Sequence, residues 1–286
     1  YSLSDLLRFK TNVIGGMGFN PYDYEYLNNS KNGRINNFST INRIHNYYRY
    51  MKKNYPSYLD KFKLAIKDDD WFGGASYNLI PENIEVSFFS IRTAFRIFDF
   101  QTNLENSELE PNICSILEIG GGYGKSLHDW ISIYKIPTAY YVDLPVNMAA
   151  AALYCIRRGE KNINFIIEED DDIKEGVINF VVPWNLFKIN KVDLVINFNS
   201  LHHMTNRSQN YYFTKFIQNR SEYFFHQNRL RALPNRQSEG DLESIIQNTS
   251  MKLLASSSFK TQNRYGQTFD IWSQFYWNPR GVPGRA

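Results

Sequence analysis

Ile116-Leu117-Glu118-Ile119-Gly120-Gly121-Gly122-Tyr123-Gly124 reads as a buried strand that closes on an acid and runs into a glycine loop. Apolar Ile116, Leu117 and Ile119 suit a parallel strand covered on both faces. The glycines allow positive φ and let the backbone approach a ligand closely. Ser126 to Tyr134 has helical character, so the loop opens onto a helix N-terminus.

Three cofactor classes place glycines between a strand and a helix, and spacing separates them. A phosphate-binding P-loop needs Gly, four residues, then Gly-Lys-Ser/Thr. Gly124-Lys125-Ser126 supplies the end, but Ile119 stands where the first glycine belongs. A dinucleotide fingerprint needs glycine at its first, third and sixth positions, and after Gly120 and Gly122 the sixth is Lys125. What remains is acid-x-Gly-x-Gly-x-Gly, filled by Glu118, Gly120, Gly122 and Gly124. This resembles the first motif of class I S-adenosylmethionine-dependent methyltransferases.

One strand later, Ala139-Tyr140-Tyr141-Val142-Asp143 is a second apolar run closing on a carboxylate, 19 residues after Gly124. An acid there can accept both hydroxyls of a ribose, as in doubly wound folds whose ligands sit outside the carboxyl ends of strands. Its other role is as a cap for the next helix, since Leu144-Pro145 places a proline in the first turn. The glycine loop upstream favours ribose.

The 286 residues, 43% hydrophobic and 16% aromatic, suffice for one catalytic domain with an addition. A net charge of +3 gives no bulk electrostatic case for nucleic acid or an acidic membrane surface. Cys114 and Cys155 are too few and too apolar in setting for a disulfide framework or a metal site, so a reducing cytoplasm is expected. No N-terminal signal pattern is evident and no apolar run approaches a membrane span, so no membrane partner is expected. Tyr1 in place of an initiator methionine suggests a trimmed chain or a piece of a longer protein.

Residues 1–106 lack strand-helix alternation. Ile41 to Ile66, rich in Tyr, Lys and Arg, and Val86 to Phe100 have helix-compatible spacing, which predicts a helical cap or substrate region. Trp71-Phe72-Gly73-Gly74 is a loop within it, either packing at a turn or meeting substrate. From Cys114 the alternation is regular, so residues 107–286 are expected to form a mainly parallel sheet with helices on both faces. Asn147 to Arg158 is an alanine-rich helix. Two strand-like runs follow, Ile163 to Ile167 and Val177 to Val182. The second is preferred as the sheet strand, because Pro183-Trp184 then follows it at the carboxyl end, where Trp184 can lie against an adenine face. The acids Glu168 to Asp172 are adjacent rather than convergent, so they read as a solvated loop and no metal site is expected.

Val192 to Met204 is the best candidate for chemistry. The strand Leu194 to Asn197 ends at the carboxyl edge and brings Asn199, Ser200, His202 and His203 into the loop beside a cofactor. Methyl transfer to a hydroxyl needs a base that removes its proton during attack, and histidine titrates in the useful range. The segment resembles plant phenol O-methyltransferases, in which a strand acid precedes the catalytic histidine by nine residues. Asp193 and His202 keep that spacing, which favours His202 over His203; the other reading has His202 capping the next helix or packing under the loop while His203 faces solvent. Adjacent histidines lack the spacing that lets imidazoles converge on zinc. A fifth strand, Tyr223 to Arg229, ends on Asn228 and Arg229, which are substrate contacts or an ordinary solvated strand end. Met251 to Phe259 and Phe269 to Trp277, joined through Gly266, read as a closing antiparallel pair.

Residues 114–277 resemble a class I methyltransferase domain, and within that group the bacterial sugar O-methyltransferases most. The match rests on Gly122-Tyr123-Gly124, Asp143-Leu144-Pro145, Asn197 to Ser200 and Asn228-Arg229. The resemblance implies a Rossmann-like, mainly parallel seven-stranded sheet with an antiparallel last strand. It implies S-adenosylmethionine held by Glu118, Gly120, Gly121, Gly122, Gly124, Asp143, Leu144, Trp184 and Asn197, with S-adenosylhomocysteine as product. The acceptor is then a small-molecule hydroxyl, such as a sugar's, held by Asn199, Ser200, Asn228 and Arg229. Members of that family carry a carboxylate and an amide where this chain has His202-His203, which leaves the base and the acceptor open. Two alternatives stand beside it: a P-loop-like nucleotide binder with Lys125 on phosphate, and a catalytically silent domain that binds a carbohydrate or protein through its aromatic cap. Oligomeric state is not legible in the sequence.

Overall fold

The computed structural model describes residues 44–53, 76–79, 84–107, 111–230, 240–262 and 268–279. The chain divides into two compact units, 1–98 and 99–286, and the division falls inside the helix Phe88–Asn106 (α2). In the first unit, residues 44–53 are helical (α1), while Ser76–Leu79 (β1) and Ile84–Ser87 (β2) pair antiparallel. The helix expected from Val86 therefore starts later, at Phe88, because Ile84 to Ser87 alternates apolar and polar residues with the period of a strand. The Trp71 to Gly74 loop, most of the expected cap, Gly266 and residues 280–286 lie outside the described residues.

Among the described residues the second unit is built on eight strands: Ser115–Ile119 (β3), Thr138–Val142 (β4), Ile163–Ile166 (β5), Ile178–Val181 (β6), Val192–Phe198 (β7), Ser221–Asn228 (β8), Lys252–Gln262 (β9) and Thr268–Trp277 (β10). Their order across the sheet is β5-β6-β4-β3-β7-β8-β10-β9. Neighbours from β5 to β8 are parallel, and β10 runs antiparallel to both β8 and β9. Eight strands stand where seven are expected, because both runs after Arg158 enter the sheet. β6 pairs with β4, and β5 adds an edge whose Asn164 Nδ2 donates to Asn179 Oδ1 at 2.9 Å.

Helices cover both faces, and for that reason β4 and β7 are buried along their whole length. On one face Phe100 of α2 meets Trp130, Phe225 and Phe275 at ring-centroid distances of 4.8, 5.2 and 5.3 Å. Tilted and edge-on pairs of this kind add about 0.5–1.5 kcal/mol each beyond the area they bury. On the other face Leu117, Val142, Val195 and Phe224 share a core with Phe213, Phe216 and Ile245. Phe213 and Phe216 lie on a π turn that continues the helix Asn206–Tyr212.

The helices that matter for the site follow strands: Lys125–Tyr134 (α3) after β3, Pro145–Arg157 (α4) after β4, Asn206–Tyr212 (α5) after β7, and Leu242–Gln247 (α6) after β8. From β3 the chain moves outward through β4, then returns to place β7 on the other side of β3. The direction of winding thus switches between β3 and β7, and in open α/β sheets the crevice outside the carboxyl ends at such a point is where ligands bind. No helix among the described residues is long and apolar enough to cross a membrane.

Candidate functional site

β3 ends at Ile119, and Gly120, Gly122 and Gly124 follow with φ of 67°, 63° and 84°. Those left-handed values favour glycine. Space is equally restrictive: a Cβ on Gly120 would overlap Ser200, and one on Gly121 would overlap the Glu118 carboxylate and the Tyr141 ring. The Gly120 N–H donates to the Val142 carbonyl at 2.8 Å, tying the loop to the end of β4.

Gly124 offers α3 no side-chain cap, and Glu118 fills that role from the strand below. Its Oε2 accepts the Leu127 N–H at 3.0 Å while the residue is buried. An anion at a helix N-terminus is favoured by the orphan N–H groups and the helix dipole. Glu118 therefore fastens α3 to β3 under the glycine loop.

At the end of β4, Asp143 Oδ1 accepts the Leu144 N–H at 2.7 Å and Asn147 Nδ2 at 2.8 Å. Oδ2 lies 3.1 Å from the Tyr141 hydroxyl, which also donates to the Gly122 carbonyl. Burial raises the Asp143 pKa above the usual carboxylate value, although bonds from Asn147, Leu144, Tyr141 and the Gly122 N–H pull against it. Tyr141 was not singled out in the sequence, yet it joins the loop to the acid. The signal was available: residues two apart on a strand share a face, so Tyr141 must point where Asp143 points. Burial, with Asp143 and Glu118 adding to it, holds the Tyr141 hydroxyl protonated.

The third strand end belongs to β7. Asn197 Nδ2 donates to the Ile119 carbonyl at 2.6 Å and to Ser200 Oγ at 2.5 Å, and Ser200 Oγ donates to the same carbonyl at 3.0 Å. These two side chains pin β7 to the residue before the glycine loop. Asn199, between them, takes a left-handed φ of 58° and its N–H donates to the Gln227 carbonyl at 2.9 Å. Asparagine is among the few side chains that tolerate that conformation. His202 is 5% exposed on the 3-10 turn Leu201–His203, its Nδ1 3.0 Å from Asn228 Oδ1. His203 is exposed, its ring centroid 4.1 Å from that of His202. Asn228 and Arg229 are both buried at the end of β8, so neither is a solvated strand end.

Other expected residues lie less centrally. Trp184 follows β6 on the 3-10 turn Pro183–Lys188 and is 55% exposed, as is Leu144. In the acidic run, Asp171 Oδ2 accepts the N–H groups of Ile167 and Glu168, each at 2.8 Å, which folds the run into a turn. Lys125 Nζ pairs with Asp129 Oδ2 at 2.9 Å, both side chains 2% exposed. The lysine's charge is thus committed inside α3, and Gly124-Lys125-Ser126 mimics a P-loop only as a string of letters. Beside that pair, His128 lies between Asp129 and Glu160. Burial opposes its protonation, but bonds to the two carboxylates outweigh burial and raise its pKa.

No family model and no curated protein sequence matches the chain. Solved structures with a similar course of the chain include the N-methyltransferase NodS from Bradyrhizobium japonicum in complex with S-adenosylhomocysteine, at 12% identity and a TM-score of 0.43 over 64% of this chain and 87% of that one. TrmK from M. capricolum, also in complex with S-adenosylhomocysteine, is similar at 12% identity and a TM-score of 0.41 over 65% of this chain and 71% of that one. TehB from Haemophilus influenzae is similar at 8% identity and a TM-score of 0.42 over 62% of each chain.

Proposed function

We propose that the crevice at the β3/β7 switch point binds S-adenosylmethionine, and that the protein transfers a methyl group to a hydroxyl oxygen of a sugar or related small molecule. One observation carries this: the glycine loop, Asp143 and His202 follow strands β3, β4 and β7, which are parallel neighbours, so all three stand at their carboxyl ends. Further support comes from the fit of the loop to a ligand that needs bare backbone. Gly120, Gly122 and Gly124 take left-handed φ without a side chain, and Asp143 is held at the loop by Tyr141.

In this assignment Gly120, Gly121, Gly122 and Gly124 form the cradle, with Glu118 holding its floor. Asp143 Oδ2, which has the Tyr141 hydroxyl as one neighbour, takes a ribose hydroxyl as a second, while Oδ1 is occupied by two donors. Leu144 and Trp184, both exposed, flank the adenine, and Asn197 keeps the loop at its distance from β7. The bound sulfonium supplies an electrophilic methyl carbon, so that a C–O bond forms as the C–S bond breaks and a thioether remains. His202 receives the proton that the acceptor hydroxyl loses. Asn199, Ser200, Arg229 and the exposed His203 surround the acceptor side, with Asn228 behind His202.

A thermal-shift panel tests the ligand. A ligand at a hundred times its dissociation constant stabilises by about 2.7 kcal/mol, a rise of several degrees for a unit of this size. S-adenosylmethionine and S-adenosylhomocysteine are expected to give that rise, and ATP and NAD none. A flat response to the first two sinks the proposal.

A further inference from the structure

We infer that a relay of two asparagines, anchored on the backbone before the glycine loop, fixes His202 in the tautomer that carries its proton on Nδ1 and its lone pair on Nε2. Side-chain amides and imidazoles are ambiguous one at a time, because oxygen and nitrogen can exchange places. Here the ambiguity is removed by groups that have only one role. The Ile119 carbonyl can only accept, so the Asn197 atom 2.6 Å away is its Nδ2. The Leu201 N–H can only donate, so the Asn197 atom it meets at 3.2 Å is Oδ1. Both ends of one amide are therefore assigned independently.

From there each bond dictates the next. Asn197 Oδ1 accepts from Asn228 Nδ2 at 2.9 Å, which turns Asn228 Oδ1 toward His202. That oxygen is 3.0 Å from His202 Nδ1 and cannot donate, so Nδ1 must. Neutral imidazole then has its acceptor at Nε2. Asn197 and Asn228 are wholly buried and His202 nearly so; flipping Asn197 would set donor against donor at Leu201 and acceptor against acceptor at Ile119, and flipping Asn228 would set its oxygen against Asn197 Oδ1. Buried polar groups are rarely left in that state.

The consequence is a change of role for two residues. Asn228 and Asn197 are positioning residues: they act through His202 rather than on acceptor or cofactor, and Ile119, which anchors them, directly precedes Gly120. The loop that cradles the ligand and the nitrogen that takes the proton are thus held by one set of hydrogen bonds. The tautomer stands on these bonds alone, whereas its effect on turnover rests on the proposed role of His202 as base.

Long-range proton-nitrogen correlation on 15N-labelled protein reads the tautomer directly, with His202 assigned by the signals lost in His202→Gln. The expected spectrum has a protonated Nδ1 and an unprotonated Nε2 in the neutral ring; the reverse overturns the inference. In Asn228→Leu the ring should pass to a mixture of tautomers. Its kcat should fall roughly 10²-fold, with KM and affinity for S-adenosylhomocysteine changed less than about threefold. Asn228→Asp keeps an oxygen facing Nδ1 and should hold the Nδ1–H tautomer, at a lower melting temperature because its second oxygen then faces Asn197 Oδ1. An unchanged tautomer in Asn228→Leu would overturn the relay. Wild-type turnover in His202→Ala would instead remove the base from the proposed function, while the spectrum still decides the tautomer.

Discussion

Gly120→Ala is expected to weaken binding of S-adenosylhomocysteine by about 10²-fold or more. A side chain at φ of 67° costs roughly 1–2 kcal/mol in the left-handed region. The new methyl would also land on Ser200, which cannot retreat without giving up its bonds to the Ile119 carbonyl and Asn197 Nδ2. Each such bond is worth about 0.5–1.5 kcal/mol net. Either the loop or Ser200 must move, and a total near 3 kcal/mol corresponds to about two decades in affinity. Gly176→Ala is the matched control. It has a φ of 71° but nothing within 4 Å of its added Cβ, so it carries the strain without the collision. Isothermal titration should find its affinity unchanged, and wild-type affinity in Gly120→Ala would remove the loop from the ligand site.

The second large effect concerns rate rather than binding. His202→Ala should lower kcat for methyl transfer to a sugar hydroxyl by about 10²–10⁴-fold, the range a positioned general base supplies. Affinity for S-adenosylhomocysteine should change less than about threefold, because the imidazole contacts Asn228 rather than the glycine loop. Truncation also leaves buried Asn228 Oδ1 without that donor, at a cost of about 1–3 kcal/mol to stability. A lower melting temperature is therefore expected with the rate loss, and must be measured beside it. His203→Ala, at an exposed position, should leave the melting temperature nearly unchanged and lower the rate far less than His202→Ala. Transfer of labelled methyl from S-adenosylmethionine to a panel of free sugars and their derivatives measures the rates. Equal turnover in wild type and His202→Ala would move the base elsewhere.

What was legible in the sequence had short-range signatures. Glu118 to Gly124 and Ala139 to Asp143 each combine a buried strand with its functional end in one contiguous run, so local pattern located both. The parallel sheet followed from alternation, and β10 followed from its pairing partner. β5 was harder, because it is partly exposed along its length and carries polar Asn164 and an exposed Phe165 where a central strand would be apolar and buried throughout. The roles of Asn197, Ser200 and Asn228 were not legible. Their partners lie tens of residues away across neighbouring strands, as in the Ser200 bond to Ile119, and no spacing rule reaches that far. Lys125 was misleading for the opposite reason. Its local string suggests a phosphate ligand, but its position in the first turn of α3 places it one helical turn from Asp129, and burial made the pair.

Amide hydrogen exchange with and without S-adenosylhomocysteine tests the central claim most directly, because it reports where the ligand sits rather than whether it binds. Protection should appear at Gly120 to Gly124, at Asp143 and Leu144, and at the turn carrying Trp184, with β9 and β10 unaffected. Binding that leaves those amides unchanged and protects another surface would contradict the account.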